Sequence, residues 1–196
     1  MRIVACGIFQ LELERILQEI RSEWASATKI NVIYTAPALH VNYADLRANI
    51  VKSLDAAAEE KMVLLFGSMC HPEISEFKEN YPVITLHAKN CIELILGTKM
   101  MDDLGNFSNI FYMTPGWLQN WKRIFKQAQG WDEIDARQNF GLYEKILLLD
   151  TGVSELNEED ILEFFEYTQV PIEIVEVELS TFKENVTETL KKTFAS

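Results

Sequence analysis

The sequence predicts an α/β protein: an open, doubly wound, mostly parallel sheet in a three-layer sandwich. Short apolar runs alternate with helical stripes almost from end to end. Several of those runs are apolar throughout, as strands covered on both faces must be. No repeat, low-complexity stretch or linker interrupts the 196 residues, so one domain spanning 1–196 is expected.

The elements follow in order. Arg2–Cys6 is an apolar run closed by Gly7, and Leu13, Ile16, Leu17, Ile20 and Trp24 recur at the three-and-four spacing of a buried helix face. Residues 29–35 are rich in β-branched side chains and stop at Ala36-Pro37. Asn42 is placed to cap a helix carrying Leu46, Ile50, Val51 and Leu54. Residues 62–66 and 82–86 read as strands, and Asn90 as the cap of a helix from Cys91 to about Gly97. Residues 109–113 form a further strand, broken by Pro115-Gly116. Helices are predicted over 117–129 and 132–143, and a buried strand over 145–150. Asn157 precedes three acidic residues, which suit the positive end of a helix dipole. The alternation over 172–179 slips at Ile174-Val175, so this strand is expected at an edge or bulge. Ser180 is placed to cap a last helix bearing Phe182, Val186, Leu190 and Phe194.

Composition excludes several functions. The 18 basic residues against 30 acidic ones give a net charge of −12, which repels a phosphate backbone. Nucleic acid and membrane are therefore not expected partners, and no apolar run approaches the roughly 18 residues a bilayer requires. Three widely spaced cysteines are an odd number for a disulfide framework. With no signal-peptide layout at the N-terminus, a cytoplasmic protein with free or metal-bound thiols is expected. Gly-x-Gly-x-x-Gly, the P-loop and Gly-x-Ser-x-Gly are all absent from the sequence.

The reactive side chains fall in one place on the predicted fold. Cys6 closes the first strand, His40 follows the second, Cys70 the third and Cys91 the fourth. In a parallel sheet all four reach the same rim, where ligands bind in doubly wound folds. Three thiolates and an imidazole form a complete ligand set for zinc, or for an iron–sulfur cluster. The competing reading is that each cysteine is a small buried hydrophobe. Cys91, at a helix N-terminus with Lys89 nearby, is also the thiol expected to ionise most readily. His71 and His87 are lesser ligand candidates. Trp117 and His87 can line a cofactor crevice, although a Trp in that turn equally anchors a core. Asp150 either binds a cation, orients a histidine or caps its own turn.

These segments resemble the family catalogued as domain of unknown function 1638, from methanogenic archaea and anaerobic bacteria. The resemblance is carried by Ala5-Cys6-Gly7, Leu39-His40, Gly67-Ser68-Met69-Cys70, Asn90-Cys91-Ile92 with Leu96-Gly97, and the stretch 112–117. It covers about the first two thirds of the chain. Where the family has His-Asp before its last cysteine this chain has Lys89-Asn90, and His71-Pro72 replaces a glycine-rich continuation. The resemblance implies an α/β fold with a Cys/His site and brings no activity. Three classes follow: a zinc or iron–sulfur protein of anaerobic one-carbon or methyl-transfer metabolism, a metal-free small-molecule or regulatory module, and a thiol-redox protein. Whether it is an enzyme, its small-molecule or protein partner and its oligomeric state stay open.

Overall fold

The computed structural model describes residues 1–56, 60–104 and 109–195, with His40 described for its backbone alone. Its first half is a four-stranded sheet of β1 (Arg2–Cys6), β2 (Asn31–Thr35), β3 (Met62–Leu65) and β4 (Val83–Thr85), in the order β2-β1-β3-β4. Every pairing is parallel; Ala5 of β1 stands opposite Tyr34 on one side and Leu65 on the other. The chain leaves β1 for β2 on one flank and then crosses to β3 on the opposite flank. That reversal sets α1 (Gln10–Glu23) and α2 (Tyr43–Asp55) on opposite faces and opens a crevice beyond the carboxyl ends of β1 and β3.

Local chemistry sets the helix starts. The Asn42 side chain accepts hydrogen bonds from the N–H groups of Ala44 and Asp45, and so caps α2. Asn90 accepts from Glu93 at the start of α4 (Cys91–Asp103), which kinks at Gly97. Between them lies α3 (Ile74–Asn80), a short helix that the sequence pattern does not announce. It buries only Ile74 and Phe77, too few positions to show a period.

The second half is a three-stranded parallel sheet, β5 (Ile110–Met113), β6 (Lys145–Asp150) and β7 (Ile172–Glu176), in that order. The α/β class, parallel pairing and C-terminal edge strand are as the sequence predicts; Ile174 on β7 is 53% exposed, which explains the slipped alternation. The strands are nevertheless shared between two sheets. β4 is only three residues long, with Ile84 turned outward and α8 (Ser180–Ala195) packed beside it, so it offers β5 no ladder. Around the second sheet are α5 (Pro115–Trp121), which continues as a π-helical turn over Lys122–Ala128, α6 (Glu133–Phe140) and α7 (Glu158–Thr168). α8 returns to the first sheet and buries Phe182, Val186 and Leu190, with Phe182 edge-on to Phe9 at 6.0 Å.

The halves meet at α5. A Cβ at Gly116 would run into the Ile8 carbonyl oxygen, so only glycine permits this approach. On the same side the Thr151 hydroxyl donates to Glu12 Oε1 at 3.2 Å, joining residues 139 apart in sequence.

Candidate functional site

Three thiols reach one cavity. Cys6 ends β1 with Thr35 opposite it on β2. Cys70 closes the turn after β3, where its N–H donates to the Gly67 carbonyl at 3.0 Å. That turn is laid along the approach to α4: Ser68 N–H donates to Ala88 O and Met69 N–H to Lys89 O, both at 2.8 Å. Gly67 makes the alignment possible, because a Cβ there would collide with the backbone of Lys89 and Asn90. The result seats Cys70 beside Cys91, with the N–H of Cys91 at the start of α4 near enough to favour a Cys70 thiolate, though not enough to offset its burial. From the other half, Trp117 on α5 stands in the same cavity wall as Cys91. The cavity encloses about 200 Å³ and is walled by the three cysteines with Tyr43, Met69 and Trp117.

Its electrostatics are those of neutral thiols. Burial pushes the Cys6 thiol up to about 12. Burial likewise raises Cys70. Cys91 is raised further, first by burial and then by repulsion from Cys70 and Cys6. The sequence expectation that the helix N-terminus makes Cys91 the readiest thiolate is thus reversed: desolvation outweighs one helix end. Among the described residues, no lysine or arginine lines the cavity to offset the charge of a thiolate.

Cys6, Cys70 and Cys91 line one cavity, but less tightly than the single-ion site expected from the sequence requires. Among the described residues, no three His, Cys, Asp or Glu side chains stand close enough to hold a single metal ion. The His40 side chain lies outside the described residues; its backbone sits in the turn Pro37–Val41 after β2. His71 is not a ligand here. It is buried, its Nδ1 accepts from the Glu73 N–H at 3.0 Å, and its Nε2–H therefore donates to the Tyr43 carbonyl at 3.1 Å. His87 is exposed and lines a different cleft, with Glu93 and Lys192. It is thus separated from Trp117, with which it was expected to share a crevice. Asp150 accepts from the Gly152 N–H at 2.9 Å and caps its own turn.

Glu12 is the polar group that motif reading misses. It is wholly buried, its Oε1 accepts from Thr151, and among the described residues its other oxygen, Oε2, has no partner. Burial raises its carboxyl to about 7. The signal was periodic: Glu12 lies four residues before Ile16, on the buried stripe of α1.

A family model described as "Protein of unknown function (DUF1638)" matches residues 34–186. The chain belongs to this family. For a DUF1638 protein the match takes in His40, Cys70, Cys91 and Trp117 and begins after Cys6. No protein of curated function matches the chain. Among solved structures, the transcription regulator CcpA of Lactococcus lactis aligns over 100% of this chain and 92% of its own. The identity is 11% and the TM-score 0.44, a likeness too distant to carry an argument.

Proposed function

We propose that the cavity of Cys6, Cys70 and Cys91 is a metal–thiolate centre, and that it holds an iron–sulfur cluster rather than one zinc ion. The observation that carries this is three thiols, from three separate strand ends, sharing a cavity whose described lining has no lysine or arginine. Such thiols stay protonated unless a cation takes the place of the protons. Spacing supports the cluster. Zinc–sulfur bonds of about 2.3 Å draw thiolates to roughly 3.5–4 Å from one another. A cluster binds each thiolate to a different iron and spreads them wider. Three thiols that line one cavity, yet among the described residues make no single-ion group, suit the wider arrangement. Bound there, a cluster supplies electron transfer or a Lewis-acidic iron.

The chain's own groups have definite tasks. The N–H of Cys91 and the indole of Trp117 lie beside the cysteine sulfurs, where they can tune a thiolate ligand once it forms. Tyr43, Met69 and Trp117 restrict water. The turn bearing His40 follows β2 at the same rim, so His40 is the candidate fourth ligand. Unpaired thiols of this kind belong to a reducing compartment, the cytoplasm being the proposed location.

Protein purified without oxygen and reconstituted with ferrous iron and sulfide is expected to retain both in fixed ratio, with a visible charge-transfer band. Cys→Ser at 6, 70 or 91 is expected to abolish the band while the far-ultraviolet circular dichroism stays native. One equivalent of zinc without sulfide would reassign the centre to zinc. Retention of neither metal would refute the reading.

A further inference from the structure

A second, larger cavity adjoins the thiols. It encloses about 440 Å³ and shares Asn90, Cys91 and Trp117 with the first, so Cys91 stands in the wall between them. One side is aromatic, from Phe111, Trp117 and Tyr143; the other is aliphatic, from Ile92 and Met101 of α4. We infer that this cavity is the substrate chamber of the thiol centre and takes a flat, uncharged aromatic molecule, one end of which reaches Cys91. The inference rests on the reading of Cys91 as a working thiol.

Three features select that ligand class. The volume is that of a small-molecule site, within the usual span of about 300–1,000 Å³. The ring wall is ordered before any ligand arrives: Phe111 meets Trp117 at 5.7 Å and 88° and Tyr143 at 5.4 Å and 63°. Behind it, Phe140 packs on Phe111 at 5.0 Å. Fixed edges and faces of this kind receive another ring by offset or edge-to-face contact, without first having to be ordered. Charge argues against an ionic ligand. Lys89 and Asp102 oppose each other in sign, and the buried Glu93 carboxylate is already engaged by the Lys89 N–H at 2.5 Å and the Thr98 hydroxyl at 3.1 Å.

The test uses full-length metal-free protein and the uncharged fluorescent ring compound N-phenyl-1-naphthylamine. Saturable binding at one site is expected, weakened at least tenfold by Tyr143→Ala. Thr98→Trp, which fills the chamber from an exposed position, is expected to abolish it; Met101→Trp is a second filler should the first alter folding. Bound probe is expected to slow iodoacetamide labelling of Cys91, read by peptide mass spectrometry, and to leave Cys6 unchanged. Undiminished binding in both filled variants, or binding that leaves Cys91 labelling unaltered, would overturn the inference. Cys91→Ser protein is expected to bind the probe while losing the cluster, so failure of the chamber and failure of the metal centre give different results.

Discussion

The two sheets follow the same parallel strand–helix plan and use their carboxyl ends for different work. Beyond the first sheet, Cys6, Cys70 and the helix start at Cys91 face a cavity. Beyond the second, the strand ends are occupied in holding the molecule together: Gly116 seats against Ile8, Thr151 bonds Glu12, and Asp150 caps its own turn. The second half also carries an aromatic core in which Phe164 touches Trp121, Phe125, Phe140 and Tyr167. Reactive groups need a rigid opposing wall, and the second half supplies it by placing Trp117 over Cys91. Chemistry on one sheet and rigidity on the other is the division to test.

The largest effect belongs to the aromatic core. Phe164→Ala is expected to cost about 3–5 kcal/mol, because its ring is wholly buried among others. Cys91→Ala, by contrast, removes one small group at about 1 kcal/mol and is expected to eliminate the proposed metal uptake. Urea denaturation followed by circular dichroism compares the two. Equal losses would erase the distinction between wall and site.

Next comes the link between the halves. Glu12 has an ordinary value of 4.5 and is raised to about 7 by burial, so its neutral form is the one the fold favours. The sign follows: its contribution is complete below about pH 4.5 and is lost as pH rises to about 7. The loss is on the order of 3 kcal/mol, constant thereafter. Glu12→Gln keeps a hydrogen-bonding partner for Thr151 and removes the titration. The variant should be flat across that window and more stable than wild type at pH 8. A wild-type slope that survives in the Gln variant would point to another group.

Gly116→Ala sharpens the same comparison at lower cost, about 1–3 kcal/mol, since the added methyl must push Ile8 and α5 apart. Tryptophan emission from Trp117 should shift to the red as its cover over Cys91 loosens. An unchanged spectrum would mean that the close contact does not hold the indole in place.

The smallest perturbation leaves folding untouched. With Cys6 raised to about 12 and both other thiols raised as well, iodoacetamide at pH 8 should label the folded metal-free protein far more slowly than the urea-unfolded chain. Equal labelling rates would put the thiols in solvent and dissolve the contrast between the sheets.

Much of the site was legible because it depends on where strands end. A cysteine that terminates a buried apolar run must lie at the carboxyl rim of a parallel sheet, and Cys6 and the Cys70 turn do. Protonation was not legible. The position of Cys91 at a helix start is a local fact, whereas its desolvation depends on Trp117, Cys6 and Cys70 arriving from elsewhere. His71 shows the same limit: beside Cys70 it reads as a ligand candidate, yet both its ring nitrogens are taken by the Tyr43 carbonyl and the Glu73 N–H.

By itself the sequence determined the α/β class, the order of the elements apart from α3, the caps at Asn42 and Asn90, the acidic helix start after Asn157, and the rim to which the cysteines belong. These follow from interactions within a few residues and from the period of the apolar pattern. Tertiary structure alone decided that the strands divide into two sheets, that Trp117 closes over Cys91, that Glu12 meets Thr151, and that His87 faces a separate cleft. Each depends on which strand edge is left open and which faces are pressed together. No local spacing encodes that, because the partners lie far apart in the chain and are joined only by packing.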